Sequence, residues 1–314
     1  NMSKAIIFVF LFVFFFSYKL YSDTSPYQFL RTNSSARAAA LAGCFVSMPE
    51  DPSALYYNPA SIFTVKEKKM SLTFFKHILD INSGNISYIR EFQNIGTLAA
   101  SVIYTNYGDF DKSDKFGNKT GTFSANDLAF AVSYSNELDE NLYYGATLKF
   151  LYVNIENANS TGFALDAGIL YMIPEKRTNV GLSILHAGSQ ISAYNDLSES
   201  LPLDVRLGIS HRLLGLPLLL NFSFHHLADN TSNFFDKFLN YSIGGEFYFG
   251  ENIQARIGYD NLIRRNTTPS NDKKLSGFSA GIGIKTKLVN IDYGIAQVGS
   301  SGYLHRITAS IDIE

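Results

Sequence analysis

From about Lys69 to Glu314, apolar and polar residues alternate one by one, and turn residues interrupt the alternation at short intervals. In the last segment Ile307, Ala309, Ile311 and Ile313 share one face, while Arg306, Thr308, Ser310 and Asp312 share the other. A period of two marks a strand and drifts off any helical stripe. Fourteen strands are predicted: 69–79, 83–92, 96–106, 125–137, 141–154, 162–172, 178–187, 202–212, 217–226, 240–250, 253–260, 277–286, 289–296 and 303–312. Turn chemistry separates them at Asp80-Ile81-Asn82, Asp139-Glu140-Asn141, Pro174-Glu175-Lys176 and Gly250-Glu251-Asn252.

The faces carry different residues. Phe163, Leu165, Ala167, Ile169 and Tyr171 fall together, as do Leu128, Phe130, Val132 and Tyr134, or Val289, Ile291, Tyr293 and Ile295. Opposite faces hold Asp166, Asp204, Arg206, Glu246, Arg256, Asp292, Arg306 and Asp312. An even number of strands lets an antiparallel sheet close, and closure is required in hydrocarbon, where unpaired backbone groups cost several kcal/mol each. The expected fold is an all-β, 14-stranded antiparallel transmembrane β-barrel, with those eight charged residues forming a lumenal network. A soluble exported sandwich explains any single strand equally well, but segments of about ten residues suit a tilted membrane crossing better.

The longer connections, 107–124, 188–201, 227–239 and 261–276, follow predicted strands three, seven, nine and eleven. Odd-numbered strands end on one rim, so these loops share a face, the external one if the periplasmic turns are short.

Residues 1–22 read as a signal peptide. Lys4 precedes the unbroken apolar run Ile6 to Phe16, too short for a standard membrane helix and right for a signal core, with Ser22 as the last signal residue. Met2 is the expected initiator, and an uncleaved anchor is the other reading. Residues 23–68 do not alternate: a short helix is expected from Ser34 or Ser35, and a turn at Asn58-Pro59. Such a segment suits a plug in the barrel mouth or a plain N-terminal arm, and its pattern leaves both open. The barrel is expected over 69–314.

Composition sharpens this picture. The chain has 26 Phe and 19 Tyr but no Trp, and Tyr favours the membrane–water boundary. A net charge of -2 gives no basic excess for nucleic acid. Cys44 is alone and forms no internal disulfide, and Leu41-Ala42-Gly43-Cys44 mimics a lipoprotein cleavage box but lies far beyond the apolar run.

Catalytic patterns are weak. There is no phosphate-cradling loop or His-Glu-x-x-His pattern. His225 and His226 are expected on opposite faces of a strand, and Asp109, Asp111 and Asp114 lack the full calcium-loop spacing. His305 near Ser301 is a chance pairing. The expectation is a non-enzyme without metal or cofactor.

The segment Tyr27-Gln-Phe-Leu-Arg-Thr-Asn-Ser-Ser-Ala-Arg-Ala-Ala-Ala-Leu-Ala-Gly43, followed by Asp51-Pro-Ser-Ala-Leu-Tyr-Tyr-Asn-Pro-Ala60, resembles the PorV/PorQ family of type IX secretion outer-membrane proteins, with the PorQ branch nearest. Tyr104 to Phe110, Gly121 to Asp127, Leu201 to Asp204, His225 to Leu227 and Ala255 to Tyr259 extend the likeness through nearly the whole mature chain. The resemblance implies a barrel akin to long-chain fatty-acid transporters, with an N-terminal plug. It also implies a non-catalytic role in cargo export and cell-surface attachment, beside attachment-complex proteins on the external loop face. By position, Ser35, Arg37, Gly43, Asp51, Asn58 and Pro59 match the N-terminal signature and would dock plug to barrel. The alternative function is an outer-membrane channel for hydrophobic solutes such as long-chain fatty acids.

Overall fold

A computed structural model describes residues 25–66, 68–194, 199–267, 273–299 and 302–313. The expected signal peptide lies outside the described residues. Fourteen strands form one closed antiparallel barrel: β1 (Lys68–Lys76), β2 (Asn82–Phe92), β3 (Gly96–Ser113), β4 (Lys119–Asp139), β5 (Leu142–Ile155), β6 (Ala158–Ile173), β7 (Thr178–Ser192), β8 (Asp204–Arg212), β9 (Leu218–Phe224), β10 (Tyr241–Phe249), β11 (Ile253–Asp260), β12 (Phe278–Lys285), β13 (Val289–Val298) and β14 (Gly302–Ile313). Each strand pairs with its sequence neighbours. β1 closes on β14, with Ser71 opposite Ser310 and Phe74 opposite Ile307.

The wall is turned inside out relative to a soluble protein. On β1, Leu72 and Phe74 are 54% and 53% exposed, while Thr73 between them is 1% exposed. The outer surface continues with Ile86, Val132, Leu148, Leu165, Leu207, Ile257 and Ile282. Buried inner positions are Ser71, Asn85, Ser101, Ser133, Thr147, Ser183, Ser210 and Thr308. An apolar skin around a polar interior suits a bilayer and would aggregate in water.

One rim carries short turns; the longer connections 193–203, 225–240 and 261–277 lie on the other, beside short turns at 77–81 and 156–157. The expected loop 107–124 is instead mostly strand. β3 and β4 run on as a paired hairpin, Asp109 opposite Ser124 and Phe110 opposite Phe123, closed by a turn at 114–118. Both faces of this extension are largely exposed, so no apolar/polar contrast marks it as strand. A register shift between Asn106 and Asp109, with Gly108 at φ +80, marks where it begins.

Residues 25–65 lie inside the cylinder. Arg31 hydrogen-bonds to the carbonyls of Pro202 and Leu203 at the long-loop rim. Helix α1 (Ala36–Ala40) packs against β11 to β14, and a 3₁₀ turn, Pro59–Thr64, packs against β3 to β6 before the chain enters β1. The inward hydroxyls and amides now have partners. Ser279 Oγ donates to the carbonyl of Ala40, Ser183 Oγ to that of Tyr57, and Asn85 Nδ2 to that of Ser34. Irregular backbone at membrane depth is tolerated only where protein satisfies it in this way.

Glycine lets the segment approach. A Cβ at Gly168 would lie 2.0 Å from Asn58 Oδ1, and one at Gly181 would lie 2.1 Å from the Val46 carbonyl oxygen. We expect Gly181→Val to cost about 1–3 kcal/mol by overpacking. Limited proteolysis should cut residues 25–65 faster in that variant while the barrel keeps its heat-modifiable migration. Gly245→Val, whose Cβ would meet nothing closer than 3.7 Å, should behave as wild type.

Candidate functional site

The short helix α1 and its flanks bring the signature residues to the wall. Ser35 caps α1 by accepting from Ala38 N at 3.1 Å, and Gly43, at φ +76, donates to the Ala38 carbonyl to end it. Asp51 caps the next 3₁₀ turn through Ser53 N. Asn58 caps the following one, with Pro59 at its first position, and its Nδ2 donates to the carbonyls of Val46 and Ile169. Ser35, Gly43 and Pro59 shape the segment; Arg37, Asp51 and Asn58 also bond outside their own turns.

Arg37 is the centre of the charge arrangement. Its Nη2 lies 2.6 Å from Glu246 Oε2 and its Nη1 2.9 Å from Asp51 Oδ2. Glu246, fully buried on β10, also receives Arg256 Nε at 2.6 Å and the Tyr248 hydroxyl at 2.9 Å. Arg256 then reaches Asp292 at 2.5 Å. Burial disfavours the Arg37 cation, yet Glu246 and then Asp51 hold its pKa well above the ordinary guanidinium value. A cavity of about 480 Å³ adjoins this network at the short-turn rim, lined also by Lys69, Arg177, Arg212 and Lys285.

Other expected lumenal residues form a second group nearer the long-loop rim. Asp166 on β6 pairs with Lys149 Nζ at 2.5 Å and accepts from His186 N at 2.8 Å. His186, at φ +61, sits where the β6–β7 register shifts. Asp204 holds Arg206 Nε at 2.7 Å and accepts from His226 N at 2.6 Å. Arg31 clasps Asp229 of the 225–240 connection at 2.6 Å. Arg306 stands apart, donating Nε to the Asn33 carbonyl and lying over the Phe75 ring. Asp312 also stands apart, at the short-turn rim, paired with Lys69 at 3.4 Å and half exposed.

The histidine pair differs from expectation. β9 ends at Phe224, and His226 takes a left-handed φ of +54, which breaks the alternation. The two rings therefore meet edge to face at 4.7 Å, with His225 Nε2 3.4 Å from Asp260 and His226 Nδ1 3.2 Å from Asp204. His305 faces outward to the Tyr293 hydroxyl, and Ser301 lies outside the described residues. Asp111 pairs with Lys119, and Asp114 accepts from Phe116 N and Asn118 N in the hairpin turn. Burial pushes the Cys44 thiol up to about 12, which keeps it protonated and unreactive. Among the described residues, no three His, Cys, Asp or Glu side chains converge to hold a metal. The arrangement supplies fixed, paired charges for docking chain to chain.

Lys149 and the inward glycines Gly145, Gly168, Gly181, Gly258 and Gly294 are not among the residues expected at the site. Their signal was present: each falls on the same alternation phase as the polar inner residues of its strand.

A family model described as "Type IX secretion system protein PorV" matches residues 21–209. No curated protein sequence matches the chain. Among solved structures, a Pseudomonas aeruginosa FadL homologue aligns with a TM-score of 0.58 at 11% identity, over 90% of this chain and 99% of that one. The Pseudomonas putida toluene transporter TodX aligns at 0.60 and 12%, over 87% and 96%. A TodX deltaS2S3 mutant, a monoaromatic hydrocarbon channel, aligns at 0.63 and 12%, over 90% and 99%. At such identities the likeness carries the fold alone.

Two outcomes test the site. Glu246→Gln leaves Arg37 and Arg256 without their shared carboxylate and should cost about 3–5 kcal/mol in urea unfolding from detergent micelles. The Arg37→Leu/Glu246→Leu double variant should lose less than the sum of its single changes. Separately, burial and then His226 and Arg206 hold His225 well below the ordinary imidazole value. The unfolded chain therefore binds a proton that the fold refuses, and stability should fall as pH drops below about 6.5. His225→Gln should flatten that slope in unfolding midpoints measured across the acid range.

Proposed function

We propose that this chain, which belongs to the type IX secretion system PorV family, is a non-catalytic part of the machinery that exports cargo and attaches it to the cell surface. Outer-membrane localisation and membership of the secretion apparatus are the premises. The added claims are the attachment role, the absence of catalysis, and the use of the long-loop rim as the external docking face.

The observation that carries this reading is the filled lumen. Residues 25–65 cross it, tied to the wall by Arg37–Glu246, Arg31–Asp229 and several backbone hydrogen bonds. The cavity at the short-turn rim is bordered by Arg37, Asp51, Glu246, Arg256 and Asp292, a poor passage for an apolar solute. Charged rims and an extended hairpin offer contact surface, which suits a component that works through partners.

A channel for hydrophobic solutes is the second reading. It is favoured by the apolar cluster of Tyr27, Phe29, Leu30, Leu151 and Val153 in the half of the lumen nearer the long loops. Affinity purification from native outer membranes should recover type IX secretion proteins. Shortening the 107–124 hairpin should remove attachment partners while the barrel still assembles. Consistent failure to recover any secretion protein, together with passage of toluene or fatty acid in proteoliposomes, would favour the channel.

A further inference from the structure

Between β9 and β10 the chain makes a 3₁₀ turn, Phe234–Leu239, at the long-loop rim. Its exposure runs opposite to that of a loop in water. Phe234 and Phe235 are 67% and 79% exposed, Phe238 and Leu239 are exposed as well, and the charged Asp236 and Lys237 between them are half-buried. Single exposed apolar residues are ordinary; four in one six-residue turn require a nonaqueous neighbour.

The position of the turn says which neighbour. The Phe238 ring meets Phe224 edge-on with centroids 5.4 Å apart and meets Phe234 at 5.7 Å. Phe224 points outward from β9, on the phase of Leu220 and Phe222. From it an outward aromatic row follows the same rim across successive strands. Tyr241 lies opposite Phe224, Tyr259 follows at 6.5 Å, and Phe278 at 5.0 Å from Tyr259. Such rows mark the edge of the hydrocarbon layer in membrane barrels. The turn thus continues the lipid-facing wall at its aromatic edge. Asn261 Nδ2 fixes it from the next connection by donating to the Leu239 carbonyl at 2.9 Å.

We infer that Phe234, Phe235, Phe238 and Leu239 form an interfacial foot that enters the lipid leaflet at the long-loop rim. Its occupant is the acyl layer itself, contacted by a loop outside the strands. The same 225–240 connection carries His225, His226 and Asp229, so a foot held in lipid steadies the loop that grips Arg31 of the lumenal segment. Lipid contact on the outside is thereby linked to the clasp on the inside.

The chain contains no Trp, so one substitution creates a lone fluorophore. Purified full-length Phe235→Trp would be reconstituted in phosphatidylcholine vesicles with and without brominated acyl chains. Phe116→Trp, at the hairpin tip where Phe116 is 78% exposed, serves as the aqueous reference. The expected result is bluer emission from Phe235→Trp, several-fold stronger quenching by brominated chains than at the reference, and weaker quenching by aqueous iodide. Bromine quenching no greater than at the reference overturns the inference and leaves this face to water or a protein partner. Should Phe235→Trp lose the barrel's heat-modifiable migration, Phe234→Trp makes the same measurement.

Discussion

Glu246 is a carboxylate with no access to solvent, set in a wall whose other side faces hydrocarbon. An ion in that position is stable only if opposite charges and hydrogen bonds surround it. Arg256 from the adjacent strand supplies one cation, and Arg37 supplies the other from outside the sheet. The wall therefore requires the lumenal segment. The segment in turn requires the wall, since Arg37 would otherwise be a buried cation with Asp51 as its remaining ion-pair partner.

The same reciprocity extends beyond charge. Inward Ser, Thr and Asn side chains would be poorly matched in a dry bore, yet they meet the open carbonyls of a segment with little regular structure. Glycine at the matching heights removes the side chains that would hold the backbones apart. Hydrogen bonding and steric fit thus converge on one position of residues 25–65. Outward, Leu, Ile and Phe have no protein to pack against, because lipid completes the assembly. This division explains why the interior reads as a docking frame, and it is the physical basis for favouring secretion over solute passage.

The rims have different characters. At the short-turn rim, the ion-lined cavity borders Arg37, Glu246 and Asp292. At the long-loop rim, Arg31–Asp229 and the His225–His226 pair join the entering segment to the connection that follows β9. His225, buried beside Arg206 and held well below the ordinary imidazole value, makes this upper group the more sensitive to acid. The lower group contains no histidine and depends on carboxylates whose cations are held close.

Strand number, strand phase and the segregation of Asp166, Asp204, Arg206, Glu246, Arg256 and Asp292 to one face were legible from alternation alone, since a strand directs successive side chains to opposite sides. The capping role of Ser35 was equally local. The alternation failed at the β3–β4 extension, where both faces meet water, and at His225–His226, where one positive φ turns a side chain back onto its neighbour's side. Period-two reasoning has no means to register either event. It also named the charged residues without their pairing: Arg37 and Glu246 are 209 positions apart, and only closure of the sheet around the segment brings them to 2.6 Å. Local chemistry thus determined which residues face inward. Tertiary structure alone decided which of them meet, because partnership across a lumen depends on the height at which each strand and the enclosed segment come to rest.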